Sequence, residues 1–396
     1  MNTDLIIKYI AVLMASGFVF CGLQINGQTG AHKTQAEADE AIRTAGSTSP
    51  EWWDSVELNY PETLDLSWPV RQGLQGPGGG GRGRGARGTG SGTASPTNVD
   101  DYLTQVIYPN PPRYKAGIRL VHHLMILHKD DSDKLRRSLN MLGDMFYQLL
   151  GDYARAAFWW QKYAQMGGSV DPLKMARCYH ELGSKAAAEA LLASLDSNAA
   201  RNNRDLVKLW ARIGEVDKAL ALIESGFDGQ SGGRGVARGL SQSDKYLLSA
   251  GILRAAGRYD EAIVLYEKVL ALPDSAMQPV RRNATDGKDK ARMNIATIQH
   301  LKTLDIKRIP DGSYTAVVNA YGGPMTVKAD IKQGRLVSVD ILRNSETFSY
   351  LIMALPTTRE IVARQGFEGV HAVTGATVTA EAIIHGTAKA LSDGMK

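Results

Sequence analysis

The sequence predicts a multidomain protein in which an all-α solenoid of helix pairs is followed by a small α+β domain with an antiparallel sheet. Two observations carry this. From about Asp100 to Leu272 the apolar residues recur at helical spacing, and the same order of large residue, glycine and alanine returns several times. From Ser313 onward the pattern alternates with period two, after Pro310-Asp311-Gly312 breaks the helical register. A length of 396 residues accommodates two or three domains at the usual size of about 100–200 residues each.

At the N-terminus, Lys8 precedes an apolar run from Tyr9 to Leu23, and Thr29-Gly30-Ala31 follows as an acceptable cleavage site. Residues 1–31 therefore read as a signal peptide or a membrane anchor, which makes the protein exported, extracytoplasmic or periplasmic, with cleavage or membrane anchoring both open. Phe20 is too bulky for the small-residue box that would make Cys21 a lipid attachment point. Residues 32–98 read as a polar, Gly/Arg-rich disordered linker. Gln75 to Pro96 is nearly all Gly, Arg, Ser and Thr, too poor in apolar surface to offset its conformational entropy. Arginine-glycine tracts bind RNA in some proteins, but here no aromatics interleave and the net charge is only +5, so no nucleic-acid partner is expected. Trp52, Trp53 and Trp68 are candidates to dock this segment on a neighbour.

Residues 99–304 form the helical repeats with a capping helix. Gly151 and Ala156, Gly183 and Ala188, Gly214 and Ala219, and Gly257 and Ala262 mark four copies, with an insertion at Gly229 to Gly239. A glycine near the end of the first helix and an alanine where the second crosses closely suit tight helix pairing. This region resembles tetratricopeptide (TPR) repeats, and the resemblance implies a curved stack with a protein-binding face. Phe158, Trp159, Trp160 and Tyr163 are read as packing between helices. Two cysteines and the group His122, His123 and His128 make neither a disulfide framework nor a metal site.

Residues 311–396 form the last domain. Tyr314 to Ala320, Met325 to Ile331 and Leu336 to Leu342 are strands, with Lys332-Gln333-Gly334-Arg335 as a turn. A helix is expected over about Thr358 to Gln365, stopped by Gly366, and another after Thr377. The run Val373-Thr374-Gly375-Ala376-Thr377-Val378-Thr379 places hydroxyls and small residues at a helix start, where bare amides suit a phosphate.

Asp311-Gly312-Ser313-Tyr314-Thr315, Tyr321-Gly322-Gly323-Pro324, Ser345-Glu346-Thr347 and Val373 to Thr379 occur in the order found in the FMN-binding domain. This stretch resembles that family, whose members include flavin-bearing subunits of sodium-pumping NADH:quinone reductase and of related ferredoxin-oxidising complexes. The resemblance implies FMN joined by a phosphoester to Thr377 through a flavin transferase. Position favours Thr377 as the acceptor, with Thr379 a second candidate and Thr374 a third; Gly375 and Ala376 keep bulk away from the attachment point, and on this resemblance Glu346 and Thr347 line the flavin, although Glu346 can equally be a plain strand-end carboxylate. The family commonly has aspartate six residues before the acceptor, where this sequence has His371, a departure that leaves non-covalent FMN, or a domain without flavin, as alternatives to the phosphoester.

No dinucleotide fingerprint, nucleophile with base or metal set is visible. The reading is an electron-transfer flavoprotein with covalent FMN: an electron carrier or a flavin-containing oxidoreductase subunit rather than a self-contained enzyme. Its partners are a redox protein or membrane electron-transport complex, and a protein docked on the repeats. The other reading is a repeat-based scaffold whose C-terminal domain carries no flavin.

Overall fold

The computed structural model describes residues 33–69, 96–195, 203–226, 240–274 and 286–395. The apolar run at Tyr9–Leu23, the glycine-arginine tract up to residue 95 and the insertion at Gly229–Gly239 lie outside them. Among the described residues no helix is long and apolar enough to cross a membrane.

The first described element corrects the linker reading for residues 33–69. Helix α1 (Gln35–Ser47) is capped by Thr34, whose hydroxyl and amide exchange hydrogen bonds with Glu37. Such a reciprocal box satisfies two otherwise orphaned donors and is legible in the sequence as Thr-x-x-Glu. Ala38 and Ile42 are buried against the helical core, and Tyr179 donates to Asp39 at 2.6 Å. Downstream, Trp68 is 1% exposed, donates to Asp100 at 3.1 Å and lies under the Arg137 guanidinium. Polar composition concealed α1, whereas Trp68 docks on the helical core as one of the candidate anchors named from the sequence.

After a short helical segment at Val99–Ile107 come α2 (Tyr114–Leu127) and four helix pairs: α3 (Ser132–Met145) with α4 (Tyr153–Gln165), α5 (Pro172–Glu181) with α6 (Lys185–Ala193), α7 (Arg204–Arg212) with α8 (Val216–Gly226), and α9 (Gln242–Ala255) with α10 (Tyr259–Ala271). Gly151, Gly183, Gly214 and Gly257 all have φ between 66° and 95°. They end the first helix of each pair in the left-handed conformation that a side chain resists. At the same offset Ala156, Ala188, Ala219 and Ala262 are all 0% exposed, as close helix crossing requires. Trp160 is buried in the core, and the partly buried Trp159 and Phe158 pack edge-on to each other and against that core, with His122 edge-on to Trp159. Helix α11 (Gly287–Leu301) packs on α9 and α10 and also on the last helix of the chain.

The C-terminal domain is a three-stranded antiparallel sheet in the order β1 (Gly312–Ala320), β2 (Gly323–Lys332), β3 (Arg335–Arg343). Met325, Val327, Ala329 and Ile331 point into the core while their neighbours do not, the expected period of two. The β2–β3 turn has Gln333 at φ 53° and Gly334 at φ 67°, both positive as in the hairpin turns that match strand twist. Three helices accompany the sheet: α13 (Pro356–Arg364) and α14 (Thr377–Gly394), which back it, and the additional α12 (Phe348–Ala354), which packs on those two helices. α14 covers β1 and β2, and α13 covers β3. α13 ends with Gln365, not Gly366, in the left-handed position at φ 52°. The Gln365 side chain compensates by exchanging hydrogen bonds with the Leu336 backbone on β3 at 3.0 and 2.9 Å.

The sequence did not foresee that the two regions interlock. The first helix of every pair, or its continuation, reaches the C-terminal domain. Arg359 donates to the carbonyls of Gln148 and Leu149 just beyond α3. Arg177 on α5 and Arg212 on α7 both pair with Glu360, and Arg254 on α9 donates to the Val370 carbonyl at 3.3 Å. Gly369 donates its amide to the Ala255 carbonyl at 2.7 Å. The face that the first helices jointly present is occupied by the chain's own C-terminal domain.

Candidate functional site

Four segments meet at one edge of the C-terminal domain: the Tyr321-Gly322 turn between β1 and β2, the Asn344–Thr347 segment after β3, the loop from His371 to Ala376, and the first turn of α14. Glu346 holds three of them. One carboxylate oxygen accepts from the Gly322 amide at 2.9 Å, and the other accepts from the Thr379 hydroxyl at 2.9 Å. Asn344 accepts from the Glu346 amide at 3.0 Å. Both oxygens are committed to protein donors, so Glu346 acts here as a clasp between turn, strand end and helix. Gly322 is obligatory for this closure, because a Cβ there would stand 2.0 Å from the Ser345 carbonyl oxygen.

The three threonines of the signature differ in what they do. Thr379 is 1% exposed and spends its hydroxyl on Glu346. Thr374 accepts from the Lys208 ammonium at 3.0 Å. Thr377, half-buried at the first position of α14, donates only to the Val373 carbonyl at 3.2 Å. Of the three, its oxygen is the most weakly engaged. Thr347 is exposed and precedes α12 without a side-chain cap, and the structure brings its side chain into none of these bonds.

Around Thr377 the backbone is open. The residue before α14 is Ala376, which has no side chain to cap the helix, so the first-turn amides keep no side-chain partner and gather the positive end of an 18-residue helix. Gly375 turns the loop at φ 89°, and a Cβ on it would meet the Met353 methyl at 2.8 Å. Beside the loop, α12 packs against α14 and contributes Tyr350, Leu351 and Met353 as partly buried apolar neighbours. Tyr350 packs edge-on to Tyr321, ring centroids 5.3 Å apart.

His371 lies buried beneath the site. Burial, then Arg212, Lys208 and Arg254, hold its imidazole well below the usual histidine range, so it is neutral at physiological pH. On the α7 side, burial lowers the Lys208 ammonium to about 8, against the opposing pull of Asp205 and Glu381. Neither Lys208 nor the arginines carry any local sign of involvement; their partners in the C-terminal domain lie more than a hundred residues away in the chain.

Among the described residues no group of His, Cys, Asp and Glu is arranged to hold a metal ion. No curated protein and no solved structure matches this chain. The family model of the FMN-binding domain matches residues 320–392, the segment that contains Glu346, the signature loop and nearly all of α14, and the C-terminal domain of this chain is a member of the FMN-binding domain family.

Proposed function

We propose that this protein is an exported electron-transfer flavoprotein whose FMN is joined by a phosphoester to Thr377. The single observation that carries the covalent reading is the contrast among the signature hydroxyls: Thr379 and Thr374 have strong partners, whereas Thr377 has one long bond at the open start of α14. In forming the ester, the Thr377 oxygen displaces the leaving group of an activated FMN donor held by a flavin transferase, and the hydroxyl proton leaves with that group.

The residues present suit this cofactor. Uncapped amides at the α14 start favour a phosphate charge, and Gly375, on which a Cβ would stand 2.8 Å from Met353, keeps side-chain bulk off the loop. Tyr321, Tyr350 and Met353 offer an apolar bed for a flat ring. When bound, FMN supplies one- and two-electron transfer; the protein positions it and sets the surrounding charge. Glu346 holds the turn and helix that flank the attachment point, and His371 fills the loop's underside as a neutral group.

The helical region, read as tetratricopeptide-like, serves in this proposal first as the cradle of the flavin domain. An external redox protein or membrane electron-transport complex supplies or accepts the electrons.

Co-expression with a flavin transferase, followed by intact-mass measurement, tests the reading. The expected result is one added FMN on the wild-type chain and none on Thr377→Val, with folding unchanged. Unmodified wild-type protein would favour a scaffold without covalent flavin, and retention of the added mass in Thr377→Val would move the attachment to another hydroxyl.

A further inference from the structure

The loop that leads into Thr377 is held from outside its own domain. Gly369 and Val370 are bound by α9, through the Ala255 carbonyl and the Arg254 guanidinium. Two residues on, the Lys208 ammonium on α7 donates to the Ala372 carbonyl at 2.6 Å and to the Thr374 hydroxyl at 3.0 Å. Gly375 then turns at φ 89° and α14 begins. Lys208, Arg254 and Ala255 all lie outside the matched segment 320–392.

We propose that the helical region completes the flavin-attachment site, with Lys208 as the residue that positions the loop carrying Thr377. This rests on the flavin reading for its function but not for its geometry. Three features support it. Lys208 binds both a backbone and a side-chain oxygen of the loop, so its removal frees two acceptors at once. Among the described residues no other donor reaches either the Ala372 carbonyl or the Thr374 hydroxyl. Its charge also stands beside a run that, on this reading, receives an anionic phosphodiester three residues further on. A charge-assisted donor to two oxygens is the kind of contact whose loss is felt locally.

Hydrogen exchange on the full chain, comparing wild type, Lys208→Met and Lys208→Arg, tests the assignment together with the FMN-bearing fraction by intact mass. The Met variant should exchange amides 372–379 at least about tenfold faster, as expected when the two charge-assisted hydrogen bonds from Lys208 are lost, while α5 and α13 keep wild-type protection. Its FMN-bearing fraction should fall, and the Arg variant should restore much of both. Wild-type exchange over 372–379 in the Met variant would overturn the proposal. So would acceleration spread equally over α13 and α14, since Lys208 would then be a general docking residue. If the wild-type chain takes no FMN, the functional reading fails, yet the exchange comparison still decides whether Lys208 positions the loop.

Discussion

Replacing Glu360 by glutamine is expected to cost about 3–5 kcal/mol of stability, the usual penalty for removing one partner of a buried ion pair. Glu360 sits on α13 with its side chain 12% exposed, between Arg177 of α5 and Arg212 of α7. Glu181 stands 3.5 and 3.6 Å from the same two arginines and 3.9 Å from Arg364. Arg177 also donates to Tyr153 at 3.0 Å. Glutamine keeps the size but leaves two enclosed guanidinium groups with Glu181 alone. Because the pair spans the two regions, the loss falls on their docking, and urea denaturation should show the C-terminal domain melting ahead of the helices. An unchanged midpoint and slope would show that the ion pair is energetically idle.

The same group makes a pH prediction. Burial pushes the Glu360 carboxyl up, but Arg212, Arg177 and Arg364 outweigh it and hold the group at about 2, against an ordinary 4.5. A carboxylate depressed on folding stabilises the folded state above its unfolded pKa and loses that contribution as pH falls through its folded value. The shift corresponds to about 3 kcal/mol, present near neutrality and lost between roughly pH 4.5 and pH 2. Glu360→Gln should therefore differ most from wild type near neutral pH and converge with it toward pH 2, which denaturation at several pH values would reveal.

Gly322→Ala is the second large effect. The added methyl would stand 2.0 Å from the Ser345 carbonyl oxygen and 2.9 Å from the Glu346 Cα. Both are backbone atoms of the segment that Gly322 itself binds through Glu346, so neither can rotate away. Relief requires the turn and the post-β3 segment to separate, which breaks the 2.9 Å bond from the Gly322 amide to Glu346 and loosens the Thr379 end of the clasp. The expected cost is about 3 kcal/mol, at the upper end of ordinary overpacking, with a lower melting temperature and reduced FMN loading. Gly366→Ala is the control: a Cβ there meets nothing closer than 4.0 Å, and its melting temperature should stay near wild type. Equal behaviour of the two variants would refute the clasp.

Much of this architecture was written locally. The glycine-alanine offset that marks each helix pair, the period-two strands, the Gln333-Gly334 turn and the hydroxyl-rich start of α14 are all short-range patterns, because helix turns, strand pleats and caps are decided within a few residues. One further element had a local signal and another had none. Thr34 with Glu37 announced α1 inside a segment whose composition suggested only a tether. α12, seven residues long, carries no cap and runs directly into Pro356; packing against α14, not propensity, holds it.

Sequence alone thus determined the succession of helical pairs and α+β domain, the position of the hydroxyl-rich loop before α14 and the residue types in it. The tertiary structure decided which hydroxyl is least engaged, that Glu346 is a clasp, and that Glu360, Arg177, Arg212 and Lys208 join the helices to the flavin domain. The reason is range: Arg177 and Glu360 are 183 residues apart in the chain, and a buried charge reveals its partner only when folding brings the two together and water is excluded around them.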